Sequence, residues 1–143
     1  MTAGKPKVLF VCYGNICRSP MALGLARKRL GERAEVASAG IAAEGGPASE
    51  DAILVMRIVH QVDISDHVAR NVSDYDLGSF DYVVALDYAV YSRLQALRIV
   101  AEDRLYGWDI ADPLGRGYDA YKEAARRIDR RLEQWIAGLG LEA

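Results

Sequence analysis

Apolar residues fall along this chain in short unbroken runs, and the segments between the runs carry apolar positions at helical spacing. The first run, KVLFVC from Lys7 to Cys12, is apolar and rich in β-branched side chains, which predicts a strand buried on both faces. AEVASAG (Ala34 to Gly40) and DYVVALD (Asp81 to Asp87) predict a second and a third strand, and RLYGWDI (Arg104 to Ile110) a weaker fourth. RSPMALGLARKRL, Arg18 to Leu30, has helical spacing, with Pro20 in the first turn, where a missing N–H is tolerated. Further helices are predicted from an N-cap at Ser49 to about His60, from about Val90 to Val100, and from Tyr118 to about Ala137. IAAEGGPAS reads as a loop and SDYDLGSF as a short helical turn.

Strands alternating with helices predict an α/β fold, a four-stranded parallel sheet with helices on both faces. No repeat, linker or low-complexity stretch divides the chain, so residues 1–143 read as a single domain. In such sheets ligands bind at the carboxyl ends of the strands, near the point where strand order reverses. Cys12 ends the first strand and falls at that position.

Composition narrows the function classes. The formal net charge is −2, from 18 basic and 20 acidic residues, and no basic run stands out, which argues against nucleic-acid binding. The N-terminal MTAGKPK is polar and the apolar run after it is too short for a signal peptide or a membrane span, so a cytoplasmic protein with no membrane association is expected. The two cysteines, Cys12 and Cys17, would then be catalytic, redox-active or inert rather than a structural staple. A metal site needs two more ligands, and the two histidines, His60 and His67, form no close-spaced pair, so no metal or other cofactor is expected.

The stretch VCYGNICRSPMA, Val11 to Ala22, concentrates chemistry at the strand-to-helix turn. Five residues separate Cys12 from Arg18. A loop of that length (Tyr13, Gly14, Asn15, Ile16 and Cys17, with Arg18) can turn its backbone N–H groups inward above a helix N-terminus and form an anion site. Gly14 permits close backbone approach, and Asn15 is one of the few residues that tolerates the left-handed region. Arg18 offers a planar fork to two phosphate oxygens. The same positive field favours a thiolate at Cys12, which would face the phosphate as an in-line nucleophile. Ser19 can hydrogen-bond that sulfur. Taken singly, Cys12 also fits a buried small hydrophobe and Arg18 a solvated first-turn residue; their combination points to the phosphate loop. Far downstream, Asp112 precedes Pro113 in the loop before the last helix. An Asp-Pro pair fits simple turn initiation, and it also places a carboxylate at the correct end of the sheet for a general acid.

VLFVCYGNICRSPMA resembles the signature of low-molecular-weight protein tyrosine phosphatases, C-x-G-N-x-C-R-S-P, placed as in that family on the first strand. The resemblance implies hydrolysis of phosphotyrosine in a phosphorylated protein substrate through a phosphocysteine, with inorganic phosphate as product. It implies Cys12 as nucleophile, Arg18 as phosphate ligand and Asp112 as acid, then base. It further implies a network of Asn15, Ser19, Ser38 and His67 that holds the loop, an aspartate of unassigned role at Asp87, and a protective disulfide between oxidised Cys12 and Cys17. A monomer is the working expectation.

The chain also departs from that family. The loop after the second strand has no aromatic residue, and Leu114 and Gly115, not tyrosines, follow Asp112-Pro113. Leu114, Tyr88 and Tyr118 are the remaining candidates for a pocket wall. The usual glutamate after SPMA is Leu23, without an evident consequence. Protein-arginine phosphatases share the loop and remain an alternative, but they carry Thr where this chain has Ile16. Thioredoxin-coupled arsenate reductases need a third cysteine, which is absent from this sequence. A catalytically silent phosphoprotein-binding module is a further alternative, against which Cys12, Arg18 and Asp112 together speak.

Overall fold

The computed structural model describes residues 4–141; residues 1–3 and 142–143 of the expected domain, with the start of the polar N-terminal segment, lie outside the described residues. Four strands, β1 (Lys7–Cys12), β2 (Glu35–Gly40), β3 (Tyr82–Ala85) and β4 (Leu105–Gly107), form one sheet. Their order is β2-β1-β3-β4, and every pairing is parallel. The chain leaves β1 to one side and then returns to its other side, so the strand order reverses at β1. Cys12 stands at the carboxyl end of that reversal, where an open parallel sheet leaves a crevice.

Alternation along β1 explains why its sequence is apolar throughout. Val8, Phe10 and Cys12 point into one core, Leu9 and Val11 into a second, and all five are buried. The first core is closed by α1 (Arg18–Leu30), α2 (Glu50–His60) and α4 (Tyr118–Leu139). The second is closed by α3 (Tyr88–Leu97) and by two 3₁₀ turns, Val72–Asp74 and Leu77–Ser79, in place of the single turn expected in SDYDLGSF. In α4 the buried residues Tyr121, Ala125, Ile128, Leu132 and Ile136 recur every three or four positions, giving one apolar stripe. Trp135 anchors the end of this helix on the sheet, with ring centroids 5.4 to 6.4 Å from Tyr82, Tyr106, Trp108 and Phe10.

The predicted elements all occur, and their shifted ends have local causes. β3 stops at Ala85, short of the predicted Asp87, because Asp87 caps α3, its Oδ1 accepting from Val90 N at 2.8 Å. Helix α3 therefore starts two residues earlier than predicted. It ends at Leu97 because Arg98 takes a left-handed conformation (φ 54°). β4 is an edge strand of three residues; the chain beyond it still follows β3, with Trp108 N on Ala85 O at 2.8 Å and Ile110 N on Leu86 O at 3.0 Å. Ser49 occupies the N-cap position of α2 but makes no side-chain cap bond. Among the described residues no helix is long and apolar enough to cross a membrane.

Candidate active site

The turn from β1 into α1 wraps around the Cys12 sulfur. Asn15 N donates to Cys12 Sγ at 3.2 Å, and Ser19 Oγ lies 2.9 Å from the same sulfur. The direction of the second contact follows from proton counting. Asn15 Nδ2 only donates, so Ser19 Oγ accepts at that 2.7 Å contact. The single hydroxyl proton is then free for Sγ at 2.9 Å or for Ala39 O at 3.4 Å, and the shorter contact is to sulfur. Two hydrogen-bond donors therefore converge on Sγ.

Asn15 is fully buried and left-handed, with φ 58°. Asparagine is one of the few residues besides glycine that adopts that conformation. Five hydrogen bonds hold it. Besides the backbone bond to Cys12, Nδ2 donates to Ser19 Oγ and to Ser38 Oγ (2.9 Å), Oδ1 accepts from Arg70 N (2.9 Å), and the carbonyl accepts from His67 Nε2 (2.8 Å). Because that carbonyl can only accept, Nε2 carries the proton. Burial pushes the His67 pKa below its ordinary 6.5, partly opposed by this bond. All four residues expected in the loop network, Asn15, Ser19, Ser38 and His67, are thus brought together. Gly40, paired with Cys12 across the sheet, completes the fit: a Cβ there would sit 2.7 Å from Tyr13 O and 2.9 Å from Asn15 N.

Arg18 is 3 % exposed although charged. One guanidinium nitrogen, Nη1, donates to Asp87 Oδ2 and to Ile110 O, both at 2.8 Å. The other, Nη2, points toward Asp112, 3.8 Å from its Oδ2. Asp87 thereby acquires a place the sequence left open: one oxygen caps α3 and the other clamps the arginine. Asp112 itself is half exposed. It is held by an Asx turn, Oδ1 accepting from Leu114 N at 3.0 Å.

Cys12, Arg18 and Asp112 open into one cavity of about 300 Å³. Tyr13, Ile16, Ala42, Glu44 and Leu114 supply its sides, so Leu114 lies on the wall as expected. The other two expected wall residues do not line it. Tyr88 packs over Gly107, where an added Cβ would meet its Cδ1 at 3.2 Å, and lines a neighbouring cleft; Tyr118 packs against the core at the start of α4. Tyr13 is the aromatic side chain on the wall; the sequence reading had used only its backbone. The contribution of Glu44 was also missed, since nothing local marks a polar loop as a pocket rim. A larger cleft of about 680 Å³ lies behind the loop. It holds Ser38 and His67, but neither Cys12 nor Arg18 lines it, so the expected catalytic residues meet only in the smaller cavity.

Cys17 occupies the N-cap position of α1, and its Sγ lies 3.2 Å from Tyr121 Oη and 3.7 Å from Ser49 Oγ. Burial raises the Cys17 pKa, and burial with this thiol contact pushes Tyr121 up to about 12. Both therefore stay protonated near neutrality. Cys12 and Cys17 are free thiols.

A parallel α/β sheet with a sulfur caged by donors, a buried guanidinium and a carboxylate over one cavity defines a cysteine-dependent phosphoryl-transfer fold. Residues 7–143 match the model of the low molecular weight phosphotyrosine protein phosphatase family, and the chain belongs to that enzyme family. It is 35% identical over 136 residues to the probable low molecular weight protein-tyrosine-phosphatase EpsP of Ralstonia nicotianae, covering 90% of this chain and 92% of that protein. Among solved structures it superposes on a low molecular weight protein tyrosine phosphatase from T. tengcongensis with TM-score 0.86 at 34% identity, covering 94% of this chain and 99% of that one. The YwlE arginine phosphatase, in a mutant with a phosphorylated active-site serine, gives TM-score 0.82 at 27% identity, covering 94% of this chain and 95% of that one. The expected family and fold are borne out.

Proposed function

We propose that this protein tyrosine phosphatase works through a phosphocysteine at Cys12, with Arg18 and Asp112 as its partners and without a metal or cofactor. The observation that carries the reading is the Cys12 sulfur, held by Ser19 and Asn15 at 2.9 and 3.2 Å in a cavity shared with Arg18 and Asp112. The thiolate attacks phosphorus as the bond to the phenolic oxygen breaks, and Asp112 gives that oxygen a proton. The resulting Asp112 carboxylate then takes a proton from water, which attacks phosphorus from the vacated side. The P–S bond breaks, inorganic phosphate leaves and the thiolate is regenerated, steadied by the Ser19 hydroxyl. Backbone amides of residues 13–18 and the Arg18 guanidinium hold the charge of the transferring phosphoryl group. Asn15, Ser38 and His67 are positioning residues that keep the loop in its strained shape.

The whole chain, residues 1–143, acts in this reading as one catalytic domain, as a monomer in the cytoplasm. Cys17 protects the nucleophile: a Cys12 sulfenic acid formed by peroxide condenses with the Cys17 thiol, releasing water and leaving a reducible disulfide.

Tyr13, Ile16 and Leu114 give the cavity an apolar wall suited to a phenyl ring. The competing substrate is phosphoarginine, supported by the arginine phosphatase among the structural neighbours and by Leu114 after the Asp-Pro pair. Parallel kcat/KM measurements on phosphotyrosine and phosphoarginine peptides of one sequence separate the two. Faster turnover of phosphotyrosine is expected, and faster turnover of phosphoarginine overturns the substrate assignment.

A further inference from the structure

Helix α4 carries a charge pattern that its own stability does not explain. Arg126, Arg127, Arg130 and Arg131 read in sequence as two scattered pairs, yet all are exposed and line one cleft of about 420 Å³. Arg126/Arg130 and Arg127/Arg131 are like charges at i,i+4, which disfavours the helix. A single carboxylate, Glu123, serves two of the four, bonding Arg126 at 2.8 and 2.9 Å and Arg127 at 2.8 Å. Among the described residues Arg130 and Arg131 have no carboxylate partner within ion-pair distance. Arg131 is instead held over the Trp108 ring, 5.5 Å from its centroid. Across the cleft stand Asp109 and Ile110, so the lining carries four positive charges against one negative on a chain whose formal net charge is −2.

The cleft adjoins the catalytic cavity. Ile110, on its wall, is the residue whose carbonyl accepts from Arg18 at 2.8 Å. Asp112 lies two residues further on, within about 7 Å of Ile110 along the chain. A peptide whose phosphorylated residue is seated over Cys12 would pass this cleft within a few residues.

Building on the phosphatase reading, we infer that the α4 arginine cleft is a second, substrate-docking subsite, and that it takes carboxylate side chains flanking the phosphotyrosine of the protein substrate. The groove is exposed, its charge complements an acidic segment, and it is joined to the reaction site through the Ile110–Arg18 hydrogen bond. Oriented guanidinium forks suit carboxylates and phosphates, and an excess of one sign steers an acidic partner.

The test compares three substrates: a phosphotyrosine peptide with aspartates on both sides, the same peptide with serines there, and p-nitrophenyl phosphate. The wild type should favour the acidic peptide, mainly through KM, with a preference that fades as salt rises. Arg127→Gln/Arg130→Gln should lower kcat/KM for the acidic peptide about fivefold, the scale of two exposed ion pairs. Turnover of the serine peptide and of p-nitrophenyl phosphate should be unchanged, which also reports an intact fold. Equal kcat/KM for acidic and serine peptides in the wild type overturns the inference, as does an equal loss on all three substrates in the variant. A peptide with the aspartates and plain tyrosine, titrated at low salt, tests the cleft without catalysis. Tighter binding to wild type than to the variant supports the subsite even where no phosphate ester is hydrolysed, and equal binding overturns it.

Discussion

Asn15 is fully buried and tied by five hydrogen bonds, whereas Asp112, on the wall of the cavity, is half exposed and held by one turn bond to Leu114 N and a 3.8 Å approach to Arg18. The difference matches the two tasks that the proposed mechanism assigns. Gripping a dianion and aiming a sulfur at it need fixed dipoles, because electrostatic stabilisation is strongest when donors do not have to reorganise. Passing a proton out and then back needs contact with the leaving group and with water. The phosphate side is therefore over-determined and the acid side is free to adjust.

Changes on the two sides should separate in kind as well as in size. The largest effect is expected from Cys12→Ser, which should lower aryl phosphate turnover by about 10⁴-fold or more while leaving the fold and phosphate binding intact. Asp112→Asn should lower kcat by roughly 10²- to 10⁴-fold with little change in thermal stability. That loss should grow as the leaving group becomes more basic, measured from nitrophenyl to phenyl phosphate; a loss independent of leaving group breaks the assignment of Asp112 as acid. Asn15→Ala should lower kcat/KM by about a hundredfold through a displaced loop and should also lower the melting temperature. An Asn15 variant that loses activity but no stability would erase the contrast between the two sides.

The smallest effect is a pH dependence of stability. Burial lowers the folded-state pKa of His67 and, at the end of α2, of His60 below 6.5. The unfolded chain then binds more protons in the window from 6.5 down to the folded values, so stability falls as pH drops through it. Denaturant titrations at pH 7.5 and 5.5 should show this loss, and His67→Gln should reduce it. A variant with the same pH loss as wild type would remove His67 from the network's energetics.

Much of this was legible in the sequence because it rests on local pattern. Strand runs, helical spacing and the loop from Cys12 to Ser19 are contiguous, and their physics is contained in a few residues. The misses involve groups with no local signature. The Ile110 carbonyl and the Arg70 amide are backbone atoms that any residue supplies, so the grips on Arg18 and Asn15 were invisible. Asp87 ends a strand in sequence, and its double role emerges only when α3 and the loop meet. Tyr88 and Tyr118 are candidates for the wall as aromatics near it in sequence, but one packs over Gly107 and the other against the core. Ser49 fits a cap by residue type, yet its hydroxyl faces Cys17 instead.

The central claim is that the caged sulfur of Cys12 carries the phosphoryl group between two chemical steps. Asp112→Asn turning over p-nitrophenyl phosphate, quenched in acid within the first turnovers and digested, allows the peptide containing Cys12 to be weighed. The account predicts that this peptide gains the mass of one phosphoryl group, lost again on longer incubation. Release of nitrophenol with Cys12 unmodified at every quench time would contradict it.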